Sequence, residues 1–193
     1  MIEKDPFQLL NSWHKEARKA KIKDLNLMTL ATVGSDGRPA ARIVLFKEVN
    51  EKGFTFFTNF RSRKACEIKQ NPYASAVIYW QDLGYQIRVE GMIKRISAEE
   101  SDRYFNSRPH ESQLSAWASD QSKEIPSYSY LQSEMDRYSK IYNEQEVPRP
   151  SYWGGYRLVP DRFEFWKEGK DRLHERVWYE KDETLWNPKV LAP

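Results

Sequence analysis

Hydrophobic and polar positions change period several times along the chain, and each change marks an element. Leu10, Trp13 and Ala17 recur at helical spacing behind Asp5-Pro6, a capping residue followed by the residue best tolerated at the first helical position. Gln8 comes close to completing a capping box, so a helix is expected within 1–20. From Leu27 to Val33 the pattern becomes a short apolar strand, closed by Gly34-Ser35-Asp36-Gly37, with Ala40–Val49 as its hairpin partner. Past a turn at Asn50 to Gly53, Phe54–Thr58 reads as the third strand of a meander, and Ser62 as the N-cap of a helix over 62–71. Tyr73–Trp80 and Tyr85–Ile96 flank a turn at Asp82 to Gly84. In the second of them Tyr85, Ile87, Val89 and Ile93 alternate with Gln86, Arg88, Glu90 and Lys94, giving one buried and one polar face.

Ser97 with Glu100 forms a capping box that opens a helix running to the neighbourhood of Arg108, where Pro109 disfavours helical geometry and Ser112 follows. After the polar loop Gln121–Ser127, a helix over Tyr128–Asn143 carries the stripe Leu131, Met135, Tyr138 and Tyr142, read as core or partner contact. Beyond the stiff connector Val147-Pro148-Arg149-Pro150, Gly154 and Gly155 permit close approach of a backbone or a flat ring. A strand pair, Tyr156–Val159 and Arg162–Lys167, is expected next. Past Gly169, alternation puts Arg172, His174 and Arg176 on one face of a further strand and Leu173 and Glu175 on the other. The expected fold is mainly β with flanking helices (α+β), a single domain over 1–193 whose antiparallel strands close into a barrel. Barrel strands fall in 27–96, a helical segment in 97–145, and completing strands in 151–193.

The chain has 193 residues, 39% hydrophobic and 14% aromatic, enough for one core built from large side chains. A net charge of +3 does not demand nucleic acid but suits small anions where cations gather. The single Cys66 excludes an internal disulfide framework and fits a reducing compartment, so a cytoplasmic location is expected. No segment reads as a signal peptide or membrane span. His14, His110, His174 and Cys66 lack metal-ligand spacing, and no phosphate-binding glycine loop, dinucleotide fingerprint or serine-hydrolase elbow is present.

Cation placement changes the picture more than total charge. Arg42 and Lys47 bracket four apolar residues, ends that either reach water or hold an anion. Arg63 and Lys64 occupy a first helical turn, where the macrodipole disfavours them and free N–H groups attract anions; a bound phosphate and an ordinary solvated helix both fit. Tyr104, Arg108 and Ser112 meet at a helical corner and could donate to one phosphate, or form a plain surface corner. Arg172, His174 and Arg176 either blunt an exposed edge or face an anion.

Taken in order, Arg42 to Lys47, Phe57-Thr58, Ser62-Arg63-Lys64, Ser107-Arg108-Pro109, Trp153-Gly154-Gly155-Tyr156, Glu164-Phe165-Trp166 and Arg172-Leu173-His174 closely resemble the pyridoxine/pyridoxamine 5′-phosphate oxidases, from about Leu27 to the C-terminus. The resemblance implies an FMN-binding split β-barrel, homodimeric, with the flavin between subunits. It assigns the flavin to Arg42, Ile43, Val44, Leu45, Phe46, Lys47, Phe57, Thr58, Arg63, Lys64, Gln86, Gln121, Ser122, Trp166 and Arg176. It gives the substrate phosphate to Lys47, Tyr104, Arg108 and Ser112, and lays Arg172, Leu173 and His174 over the pyridine ring, with Arg172 and His174 catalytic. The implied reaction passes a hydride from C4′ of pyridoxine or pyridoxamine 5′-phosphate to flavin N5, forming pyridoxal 5′-phosphate, with O₂ reoxidising the flavin to give H₂O₂. Two phosphate-bearing ligands would account for two cationic clusters. Relatives usually carry a longer N-terminus that closes over substrate and end in Arg-Leu-Ala-Pro, where this chain has Val190-Leu191-Ala192-Pro193, so substrate closure is expected to differ. Competing readings are a split-barrel oxidase of the phenazine type, a non-catalytic flavin or B6-phosphate binder, and a barrel binding single-stranded nucleic acid.

Overall fold

In the computed structural model, which describes residues 2–143 and 145–193, eight antiparallel strands form one sheet. Met1 and Glu144, within the expected N-terminal and helical segments, lie outside the described residues. The strands are β1 (Leu27–Val33), β2 (Pro39–Asn50), β3 (Gly53–Asn59), β4 (Tyr73–Trp80), β5 (Tyr85–Arg95), β6 (Trp153–Lys167), β7 (Glu175–Asp182) and β8 (Leu185–Val190). Helices α1 (Pro6–Lys19), α2 (Arg63–Gln70), α3 (Ala98–Asn106), α4 (His110–Ala118) and α5 (Tyr128–Ile141) accompany them. The order β3-β2-β1-β4-β5-β6 is closed by a further β3–β6 ladder into a six-stranded barrel, and β7 and β8 extend the sheet beyond β6.

Closure depends on β6. Its first part, Trp153–Leu158, pairs with β3 and its last, Arg162–Lys167, with β7, while β5 runs along both. Pro160 suggested two strands; instead the chain is one strand of 15 residues with a bulge. The β5 ladder steps from Gly91↔Pro160 to Glu90↔Arg162, leaving Asp161 as the extra residue. A proline has no N–H to donate, and the place where β6 changes partners requires none from it.

The β5 alternation buries Tyr85, Ile87, Val89 and Ile93 against Met28, Leu30, Phe54, Phe56, Leu158, Phe163 and Phe165. Helix α1, capped by Asp5 accepting from the Phe7 N–H at 2.9 Å, lays Leu10, Trp13 and Ala17 on this core. Trp13 stacks on Tyr85 with ring centroids 4.1 Å apart. A second cluster, Phe105, Leu114, Ala116, Val147 and Trp153, receives Met135, Tyr138 and Tyr142 from the α5 stripe. The capping box of Ser97 and Glu100 opens α3 as expected, but Pro109 does more than end a helix: it is the N-cap of α4, which the pattern did not separate.

The expected strand face after Gly169 is not formed. Lys170–Arg172 is a 3₁₀ turn with Asp171 at φ 55° and Arg172 at φ 64°, and β7 begins only at Glu175. Arg172 and His174 therefore share no strand face with Arg176. The turn is closed by the Gly169 N–H donating to His174 Nδ1 at 3.2 Å, and a Cβ at Gly169 would overlap the Leu173 carbonyl. Among the described residues no helix is long and apolar enough to cross a membrane.

Candidate functional site

The barrel wall opens where β2 and β3 part. Strand β2 pairs with β1 from Pro39 to Leu45 but with β3 only from Phe46 onward, and a bulge at Lys47 marks the change. Beyond Phe56, β3 loses β2 and keeps only β6, its partner on the other edge from Phe54 to Asn59. One edge of β2 is thus left without a strand over Ala40–Leu45. Here lies a cavity of about 890 Å³, lined by Arg42, Ile43, Val44, Leu45, Lys47, Phe57, Thr58, Arg63, Lys64, Gln121 and Ser122, and also by Tyr104, Arg108 and Ser112. Both sets of phosphate-binding candidates therefore meet in one space. Phe46 stands apart from them: alternation turns its ring into the core, 4% exposed, so its side chain offers the cavity nothing.

Two arginines of the cavity share one carboxylate. Glu67 of α2 accepts from Arg63 Nε at 2.7 Å and from Arg42 Nη2 at 3.0 Å, while the Thr32 hydroxyl donates to it at 2.5 Å. Burial pushes the Glu67 carboxyl up, but hydrogen bonds from Thr32, Arg63 and Arg42 outweigh it and hold the group below the usual carboxylate range. Lys64 Nζ donates to Thr58 Oγ1 at 3.0 Å, and its pKa is lowered to about 8 by burial first and Arg42 second, with Glu67 opposing. Ser62 holds the N-cap position of α2 but makes no side-chain cap bond, leaving helix N–H groups in the arrangement that attracts anions. Gln121 Oε1 accepts from Thr58 Oγ1 at 3.0 Å, which leaves its amide NH₂ as a donor.

At the other group, Tyr104 stacks on Phe57 at 3.8 Å and Phe57 on Trp153 at 5.5 Å. The Arg108 guanidinium lies 4.6 Å from the centre of the Trp153 ring. Its Nη1 is buried without a hydrogen-bond partner among the described residues, and burial lowers its pKa, with Tyr104 opposing. Leaving such a donor unpaired costs roughly 1–3 kcal/mol, a cost that a bound anion removes. This orphaned donor, with the cations around Glu67, fits a cavity for ligands bearing two phosphates. Gly154 and Gly155 stand behind the stack, where a Cβ at Gly154 would come within 2.6 Å of the Phe60 ring and one at Gly155 would collide with Ile96 and Phe57.

The remaining candidates lie elsewhere. Gln86, Trp166 and Arg176 occupy one cross-strand row through β5, β6 and β7. The His174 ring is 4.6 Å from Trp166, and Arg172 and Leu173 project on the adjoining turn, Leu173 being 72% exposed. Glu164 grips Arg176 with both oxygens at 3.1 Å and pairs with Arg88 at 3.0 Å. None of this second group lines the cavity. Trp153 at the cavity and Trp166 in the row stand at opposite ends of β6, roughly 40 Å apart along extended chain. Glu67 is not singled out in the sequence, and Glu164 stands there only within the motif Glu164-Phe165-Trp166, with no role given to its carboxylate. Arg63 and Glu67 at helical i,i+4 spacing were the available signal for the first; the second requires the strand register.

A closed antiparallel barrel, split between two strands and cationic at the split, places the chain among proteins of the split-barrel fold. Residues 14–142 match the family model described as pyridoxamine 5′-phosphate oxidase, and residues 153–193 that of the pyridoxine 5′-phosphate oxidase C-terminal dimerisation region. The chain belongs to the pyridoxamine 5′-phosphate oxidase family. It is 46% identical over 192 residues to a pyridoxine/pyridoxamine 5′-phosphate oxidase of a Cyanothece species, covering 100% of this chain and 90% of the relative. It is 50% identical over 192 residues to the one of Burkholderia orbicola, covering 98% and 89%. Among solved structures, PhzG from Burkholderia lata, in complex with tetrahydrophenazine-1-carboxylic acid, superposes with a TM-score of 0.94 at 32% identity, covering 99% and 94%. A pyridoxamine 5′-phosphate oxidase-related FMN-binding protein of Nostoc punctiforme gives 0.78 at 17% identity, covering 98% of each chain, a likeness of fold. Trp166 and Arg176 of the row, the turn and β8 fall within the dimerisation region, while Gln86 lies in the part matched by the first family model.

Proposed function

We propose that the cavity holds FMN and that the chain, as a homodimer, oxidises pyridoxine or pyridoxamine 5′-phosphate to pyridoxal 5′-phosphate. The observation that carries this reading is the pair of phosphate-donor sets in one cavity, the second with a buried guanidinium N–H that has no partner. Arg42, Arg63 and Lys64, with Gln121 and Ser122, suit a flavin phosphate. Lys47, Tyr104, Arg108 and Ser112 suit the phosphate of the substrate. Bound FMN would supply the two-electron acceptor that these side chains lack, with O₂ as the final oxidant. The chain's own work is to anchor and align two rings. In the dimer, the row and turn of one protomer cover the cavity of its partner, so that Gln86, Trp166 and Arg176 complete the flavin side while Arg172, Leu173 and His174 cover the substrate. Because His174 Nδ1 accepts from Gly169, its proton sits on Nε2, the atom that can donate outward. Two left-handed residues at Asp171 and Arg172 suit a turn shaped for contact rather than for its own stability.

The likeness to PhzG supports a second reading, a phenazine-type substrate on the same flavin site. It leaves the Arg108 corner without a phosphate to hold. Anaerobic visible spectra of the FMN-reconstituted protein decide between them. Either B6 phosphate is expected to bleach the flavin, and air to restore it with pyridoxal 5′-phosphate formed. Flavin that binds but is bleached by neither refutes the substrate, and bleaching by a reduced phenazine precursor alone establishes the second reading.

A further inference from the structure

One carboxylate stands inside the cationic set of the cavity. Glu67 is only 7% exposed, and the fully buried Thr32 links it to Arg42 a second time by accepting from Arg42 Nη1 at 2.5 Å. On charge alone this is counterproductive, since a carboxylate cancels part of the field that would draw a phosphate. What it contributes is geometry. Of the five N–H donors on Arg42, Leu30 O, Thr32 Oγ1 and Glu67 occupy three, and Glu67 occupies one of those on Arg63. The Arg63 side chain is 66% exposed, so without this contact nothing in the pair of bonds described would keep it from turning to solvent. Strand β2 and helix α2 are thereby tied together, and among the described residues the remaining donors of both guanidinium groups are uncommitted.

We infer that Glu67 is a positioning residue for the flavin phosphate: it fixes Arg42 and Arg63 as a pair before the ligand arrives, and discrimination of FMN from riboflavin depends on it. The inference rests on reading the cavity as the FMN site. The test measures dissociation constants of FMN and of riboflavin for the apoprotein, by flavin fluorescence, in wild type, Glu67→Ala and the near-isosteric Glu67→Gln, with circular dichroism to check folding. Wild type prefers FMN. Glu67→Ala weakens FMN about tenfold or more while riboflavin stays within about twofold, so the preference collapses; Glu67→Gln loses part of it. Should the alanine variant not fold, the glutamine variant decides alone by the same ratio. Equal weakening of both flavins makes Glu67 merely structural and overturns the inference, as does FMN binding that is unchanged or tighter. A wild-type protein indifferent to the phosphate overturns the reading of the cavity itself, and is recognised before any variant is made.

Discussion

The two groups of site residues stand at opposite ends of β6, so two differently damaged chains should repair each other. Take Arg108→Ala in the cavity and Arg172→Ala in the turn. Removing a charged hydrogen-bond donor costs roughly 1.5–3 kcal/mol, about 10–150-fold in kcat/KM, so each homodimer is left with a small residue of activity. When the two chains are mixed, unfolded and refolded together, random pairing makes about half of the dimers mixed. Two-fold symmetry then gives each mixed dimer one site with a wild-type cavity under a wild-type turn and one site lacking both residues. About a quarter of all sites are intact, and a quarter of wild-type activity is the expected recovery. The assay is pyridoxal 5′-phosphate formation at subsaturating substrate, with two affinity tags to show that mixed dimers formed. If turn and cavity of one site belonged to the same chain, every site of a mixed dimer would lack either Arg108 or Arg172. Activity no greater than the mean of the parents, with mixed dimers present, refutes the arrangement.

Lys64 provides a pH signature. Its pKa of about 8 in the free protein lies below the ordinary lysine value, so a bound phosphate that raises it takes up a proton above that pH. FMN affinity is expected to fall as pH rises through about 8, by up to tenfold per unit, and Lys64→Arg to remove the slope. For the same reason the unfolded chain binds the proton that the folded one has lost between about 8 and 10.5, so this group makes the apoprotein more stable as pH rises across that window. A titration unaltered by Lys64→Arg assigns the proton to another group. The paired glycine behind the aromatic stack is tested by Gly155→Ala, whose Cβ collides with Ile96 and Phe57. It should cost roughly 2–3 kcal/mol and lower Tm by roughly 4–10 °C. Gly37→Ala, at φ 72° with open space around it, should cost about 1 kcal/mol. Equal shifts in calorimetry would deny that Gly155 is held by close packing.

The barrel was legible in the sequence wherever alternation decides burial without help. Strands β1 and β4 run between the residues at which the pattern begins and ends, and β2, β3 and β5 differ from it by one residue at their ends. The departures arise where a local signal met a tertiary one. Pro160 ends a strand by any local rule, and only the change of partner from β3 to β7 makes it tolerable within β6. Arg172, His174 and Arg176 alternate correctly, yet Gly169 and the ring of His174 close a turn across that alternation. Cationic groups were visible as residues; that Phe46 turns away from them and that Glu67 joins Arg42 to Arg63 was not, because an arginine and a glutamate four apart are ordinary on a helix surface.

Least legible was the division of the site, since Gln86, Trp166 and Arg176 become a row only when β5, β6 and β7 are in register. That register is set by the extra residue at Asp161, between the part of β6 that closes the barrel and the part that carries the row. Were Asp161 to pair with Glu90 in a regular ladder, Trp166 would fall opposite Tyr85 instead of Gln86 and turn to the other face of the sheet. The bulge is therefore where the fold fixes the relation between the two groups, and a change there would separate them without touching either.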